Sequence, residues 1–236
     1  MSKDSGVDTL VFTGERLIPG DESVDGNVVL EHYHRYALAN EYVKDKRVLD
    51  IACGEGYGSS LMAANAKSVF GVDVSEEATK FAARKYQSDN LEFLVGSCAA
   101  IPLKSNSIDL VISFETIEHH DLHDEMLQEI KRVLTKSGLL IISSPNKYEY
   151  SDIPKYLNQY HVKELYRDEL VKLLGTHFSN IEMYSQRVLY GSAIVCDDSG
   201  GKFVSYNNPK NFEIKKSTVL LHPIYDIAFV SDSKLP

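Results

Sequence analysis

No stretch of this chain is apolar for long enough to cross a bilayer as a helix, which excludes a helical membrane span. Its opening residues, MSKDSGVD, are polar, so no signal peptide is expected. Cysteine is scarce. Cys53, Cys98 and Cys196 form no even framework and lack metal-ligand spacing, so the expected setting is a reducing cytoplasm. Basic charge is short as well: 25 Lys and Arg stand against 34 Asp and Glu, a net charge of −9. Gripping a long polyanion takes a basic face, because neutralised phosphates supply most of the affinity. No long nucleic acid is therefore expected as a partner. Internal repeats, low-complexity tracts and signs of a second domain are missing too. What remains is 236 residues, 43% of them hydrophobic, enough for one α/β domain with a sizeable core.

The stretch RVLDIACGEGYG (Arg47 to Gly58) organises the rest. Val48, Leu49 and Ile51 read as a buried strand, which ends at Asp50 and a loop holding Gly54, Gly56 and Gly58. Glycines there let the backbone approach a ligand that a side chain would push away. A second apolar strand, SVFGVDV, follows at βαβ spacing and ends in Asp73. That acid is placed to accept hydrogen bonds from two ribose hydroxyls at a strand's carboxyl end. A dinucleotide fold wants GxGxxG for a pyrophosphate. Here the pattern is D-x-x-x-GxGxG, with Asp50 at the loop entrance.

The flanking chain reads in order. Residues 1–30 form an irregular lead-in, with Gly and Pro around Arg16 in FTGERLIPGD marking a loop or clamp. A helix is predicted over Leu30–Val43, carrying the cluster EHYHRY. That cluster is either a solvated face with aromatic core contacts or a cap over the ligand. Crossover helices are predicted over Ser59–Ala66 and from Ser75, an N-cap candidate, to Gln87. LEFLVGS is the third strand and IDLVISF the fourth. The fourth delivers Glu115, Glu118, His119 and His120 at its carboxyl end, where open α/β sheets bind ligands. A helix over Asp121–Thr135, a break at Gly138 and the strand LLIISSP follow. The tyrosine-rich NKYEYSDIPKYLNQY should lie over the site, and His161 should open a helix to Leu174. Ile181 to Ser231 reads as an antiparallel strand pair around an insertion at about 191–222. Cys98 is either a small wall residue or a nucleophile.

Glu115, Glu118 and His119 fall at i, i+3 and i+4, so a helical turn would put them on one face. Two carboxylates and an imidazole there repel unless a cation or shared protons compensate, and hard oxygen donors with imidazole suit Mg²⁺ or Mn²⁺. A plain solvated helix start is the alternative.

The D-x-x-x-GxGxG pattern resembles motif I of class I S-adenosylmethionine (SAM) methyltransferases. The resemblance implies a Rossmann-like, doubly wound seven-stranded sheet, mainly parallel with an antiparallel C-terminal strand. It implies SAM as cofactor, held by Asp50, Ala52, Gly54, Gly56 and Tyr57. Asp73 and Val74, Ser97, Cys98 and Ala99, and Phe114 complete that set, with Arg35 or Tyr36 near the methionine carboxylate. Ser97 stands where the family pattern commonly has an acid for adenine. E-x-x-E-H after the fourth strand resembles metal-dependent O-methyltransferases, including ubiquinone-biosynthesis enzymes and Hen-type small-RNA 3′-terminal 2′-O-methyltransferases. That likeness implies a metal site of Glu115, Glu118, His119 and His161, with His161 supplied by NQYHVKELY. His119, His120 and His161 are the candidate catalytic histidines, His120 as a supporting group. FTGERLIPG, EHYHRY, IEHH and NQYHVKEL together resemble bacterial methyltransferases encoded with surface-polysaccharide and O-antigen genes. The implied acceptor is a sugar hydroxyl of a nucleotide sugar or saccharide. A Hen-like RNA-end enzyme, a metal-free small-molecule methyltransferase and a non-catalytic SAM-binding protein are the rival readings.

Overall fold

The computed structural model describes Leu17 and residues 25–189, 205–207, 215–217, 220 and 222–236. The clamp expected around Arg16 therefore lies outside the described residues, apart from Leu17, which is buried. Five strands run parallel: β1 (Arg47–Ile51), β2 (Ser68–Asp73), β3 (Leu91–Val95), β4 (Ile108–Ser113) and β5 (Leu134–Pro145). β6 (Asn180–Gln186) follows. The stretch read as an insertion contains β7 (Ser205–Asn207) and β8 (Lys215–Ser217), paired antiparallel as a separate ribbon. β9 (Tyr225–Ser231) is antiparallel to both β5 and β6, and closes a seven-stranded sheet of order β3-β2-β1-β4-β5-β9-β6. The expected fold class is the observed one.

Alternate residues of each strand feed opposite layers, as the pleat requires. Leu49, Val111 and Ile142 meet Met126, Leu127 and Ile130 of α4 (His123–Val133) and Leu170 and Leu174 of α5 (Arg167–His177). Val48, Leu110 and Ile112 meet Ala39 of α1 (Gly26–Asn40) and Met62 of α2 (Tyr57–Ala63). α3 (Glu76–Lys85) flanks β2 and β3. Each fully buried Leu or Ile contributes about 1.5–3 kcal/mol. Strand order reverses between β1 and β4, so the crevice outside their carboxyl ends is the natural ligand position.

Several predicted elements shift. α1 begins at Gly26 because the Asp25 side chain accepts from the Asn27 N–H and caps it. β5 starts at Leu134, where a helical turn was expected; Leu134 pairs with Ile108, and the register then shifts so that Leu110 faces Leu139. Glu115 has φ +49 and stands outside any helix, so the i, i+3, i+4 reading fails. Only Ile117–His119 make a single 3₁₀ turn. Residues 161–166 are not helical either. The N–H groups of Val162 and Lys163 both donate to the Glu118 carbonyl, at 2.8 and 3.0 Å, which fastens this segment to the 3₁₀ turn.

Candidate active site

Two adjoining cavities lie at the carboxyl ends of β1, β2 and β4. One, of about 330 Å³, is lined by Asp73, Val74, Ser97, Cys98, His120 and neighbours. The other, of about 290 Å³, is lined by Tyr36, Tyr57, Phe114, Glu118, His161 and a ring of tyrosines. They share Ala52, Gly54, Glu115 and His119, so an elongated ligand can lie across the glycine loop from one to the other.

The loop needs its special residues. Gly54 and Gly56 have φ +56 and +87, and Ala52 reaches +58. A Cβ on Gly58 would sit 2.0 Å from the Tyr36 ring, so only glycine lets α1 close on α2 here. Asp73 holds the loop: its Oδ2 accepts the Gly54 N–H and its Oδ1 the Ser75 N–H, both at 2.9 Å. Asp73 and Val74 border the first cavity, with Ser97 and Cys98 opposite. Ala99, also expected there, is not among its lining residues; its N–H donates to Ser97 Oγ.

Asp50 sits differently from the expectation. It is 1% exposed and lines neither cavity. Ser59 Oγ donates to it at 2.6 Å and Tyr36 Oη at 3.1 Å, so it braces the loop and the cap helix from beneath. Burial pushes its carboxyl up to about 7, opposed by these two hydrogen bonds. Tyr36 stays on the cavity wall, its ring edge-on to Phe114. Arg35 is buried and off the cavity wall. Its Nη1 donates to Gln186 and its guanidinium lies over Tyr225, while Nε and Nη2 have no partner among the described residues.

The acid–imidazole residues part company. Glu118, His119 and His161 each offer a ligand atom, and these atoms lie within 4.8 Å of one another. Glu118 is 1% exposed, and neither carboxylate oxygen has a hydrogen-bond partner among the described residues. Burial first, and then the charge of Glu115, holds its carboxyl well above the usual range. Such a group is costly unless something positive meets it. Nδ1 of His119 bonds the Tyr160 carbonyl at 3.0 Å, and Nδ1 of His161 bonds Glu164 Oε1 at 2.5 Å. Both partners are acceptors, so each Nδ1 carries the hydrogen and each Nε2 keeps a lone pair. This donor set fits a hard divalent cation. Glu115 stays outside the trio: Ser143 Oγ donates to its Oε1 at 2.6 Å, on the wall between the cavities.

His120 turns toward the first cavity. Its Nδ1 accepts the Leu122 N–H, so its Nε2 carries the hydrogen and contacts Cys98 Sγ at 3.2 Å. Both ring nitrogens of His120 are thus engaged. Sequence reasoning missed Glu164, His32, Tyr225 and Ser143. The tyrosine-rich loop was visible as a cover, and Tyr150, Tyr156, Asn158 and Tyr160 do line the second cavity. Glu164 carried a signal in hindsight, an acid three residues after a candidate ligand histidine.

A family model described as a methyltransferase domain matches residues 49–142. A Mycobacterium tuberculosis protein named "Probable S-adenosylmethionine-dependent methyltransferase" is 36% identical over 168 residues, covering 70% of this chain and 60% of that protein. The chain thus spans less than two thirds of that relative. A fatty-acid O-methyltransferase from Mycolicibacterium smegmatis is 30% identical over 143 residues, 59% of this chain and 51% of its own. A solved SAM-dependent methyltransferase from Thermotoga maritima superposes with TM-score 0.58 at 18% identity, covering 87% of this chain and 91% of that one. A Pyrococcus horikoshii protein does so at 0.61 and 20%, covering 89% and 92%; both likenesses bear on the fold. Among the described residues no helix is long and apolar enough to cross a membrane. Sequence identity and a common sheet agree: this chain is similar to probable SAM-dependent methyltransferases, carries a match to a methyltransferase domain over residues 49–142, and has the fold of solved members.

Proposed function

We propose that the protein is an O-methyltransferase that moves the methyl group of SAM onto a sugar hydroxyl, with a divalent cation assisting. The observation carrying this reading is the buried, unpartnered Glu118 carboxylate facing two imidazoles whose Nδ1 atoms are already tied. The glycine loop and Asp73 would take the donor's adenosine end, and Ser97 and Cys98 would flank its base. The methyl group would then point across the shared wall toward the second cavity. Alignment of the acceptor oxygen with that methyl supplies most of the rate, because sulfonium is already a good leaving group. Glu118, His119 and His161 would hold the cation, with Glu115, which the resemblance implies as a fourth ligand, held apart from them by Ser143. Bound there, Mg²⁺ or Mn²⁺ supplies a Lewis acid that lowers the pKa of an acceptor hydroxyl.

Tyr150, Tyr156, Tyr160 and Tyr225 give the acceptor cavity flat faces with polar edges, a lining suited to a sugar ring. The charge of −9 weighs against an RNA end. The test is transfer of labelled methyl from SAM to a panel of nucleotide sugars and saccharides, with and without chelation and Mn²⁺ restoration. Glu118→Ala should abolish transfer while leaving SAM affinity, read by calorimetry, within about twofold. Full activity after thorough chelation would remove the cation from the reading.

A further inference from the structure

We propose that residues 148–163 form a docking rim that seats the mouth of the acceptor cavity on an anionic lipid bilayer. The proposal rests on the reading that this cavity receives a methyl acceptor, and it makes that acceptor a head group carried by a lipid. Fourteen large apolar side chains are exposed among the described residues, and five of them (Tyr148, Ile153, Tyr156, Leu157 and Val162) fall in this one segment. Leu157 is 88% exposed. Single exposed apolar residues are ordinary, whereas a cluster beside a cavity marks a contact surface. The same segment supplies Tyr150, Tyr156, Asn158 and His161 to the acceptor cavity, so the exposed apolar residues belong to the stretch of chain that walls it. The chain turns over residues 153–155, where Lys155 has φ +56.

Charge selects the occupant. Lys155 and Lys163 are exposed and form no ion pair among the described residues. Of the acids nearby, exposed Asp152 accepts from the neutral Tyr166 hydroxyl and keeps its charge, Glu149 lies 3.1 Å from His222, and Glu164 holds His161. On a chain of net charge −9 the rim thus offers unpaired ammonium groups among aromatic and aliphatic side chains. That combination suits the boundary between phosphate head groups and acyl chains, where apolar burial and attraction to anionic lipid act together. A tailed acceptor would stay in the bilayer while its hydroxyl-bearing head entered the cavity.

The test is co-sedimentation of the full chain with phosphatidylcholine vesicles, with and without phosphatidylglycerol. Binding should appear on the anionic vesicles and weaken as salt rises. The double variant Leu157→Asp, Ile153→Asp should lower binding by about tenfold or more. The double variant Lys155→Glu, Lys163→Glu should erase the preference for anionic vesicles. SAM uptake by calorimetry should stay at the wild-type level in both, which shows an intact fold. Absent binding by the wild type, or unchanged binding in the Leu157/Ile153 variant, overturns the proposal. So does a dimer in solution that dissociates in that variant, which would make the rim a self-association surface. Vesicle binding without SAM uptake would keep the rim and remove the methyl-transfer reading; SAM uptake without vesicle binding would do the reverse.

Discussion

Nδ1 of His161 lies 2.5 Å from Oε1 of Glu164, and both side chains are less than a tenth exposed. The carboxylate accepts, so it fixes the tautomer and leaves the ring's lone pair on Nε2. Asn158 Nδ2, 3.0 Å from that Nε2, stands where a cation would compete for the lone pair. Glu164→Gln keeps the shape and weakens the acceptor. Affinity for Mn²⁺, measured by calorimetry on the purified chain, should fall about 10- to 100-fold. SAM affinity should not move, because Glu164 lines neither cavity. Unaltered Mn²⁺ affinity would reduce the pair to a packing contact.

Gly58 tests the seam between the cap helix and the motif. A methyl group placed there meets the Tyr36 ring at 2.0 Å, and Tyr36 is buried against Phe114 and bonded to Asp50. The ring cannot yield without breaking that hydrogen bond. Gly58→Ala should therefore cost about 1–3 kcal/mol, read as a lower denaturant midpoint with an unchanged slope. It should also loosen acceptor binding, since Tyr36 and Tyr57 both border the second cavity. A variant as stable as wild type would mean that α1 shifts freely on α2.

The half built on the glycine loop was legible because it is local. β1, the glycine loop and Asp73 follow one another within a single βαβ unit, and the periodicity of α4 marks Met126, Leu127 and Ile130 as its inner face. Asp50 was harder to read: its partners Tyr36 and Ser59 come from helices on either side, so its pattern position said nothing of its being enclosed. His161 shows the same limit. The run VKELYRDELVKLL has a helical pattern from its first residue, yet two hydrogen bonds to the Glu118 carbonyl hold its start extended. That pairing joins residues more than forty apart, and local propensity cannot express it. Tyr225 and Gln186, brought beside Arg35 by β9 and β6, were hidden for the same reason.

Asp50 gives the sign of a pH effect. Burial raises its carboxyl from an ordinary 3.8 to about 7 in the folded chain. The folded state therefore holds a proton that the unfolded chain has released between those two values. Stability from this group is complete below about pH 4 and is lost as pH rises toward 7, by roughly 4 kcal/mol at most. Asp109, Glu129 and Asp232 act in the opposite sense, because Arg47, Arg132 and Lys131 hold their carboxyls below the usual range. The informative quantity is thus the difference between wild type and Asp50→Asn. An amide there can still accept from Ser59 or donate to the Tyr36 oxygen, so the brace survives without the charge. Chemical denaturation at several pH values should show the variant gaining on the wild type from pH 4 to 7, with the gap constant above. Parallel curves across that range would mean that Asp50 titrates as an ordinary carboxylate and that its enclosure by Tyr36 and Ser59 is looser than the structure has it.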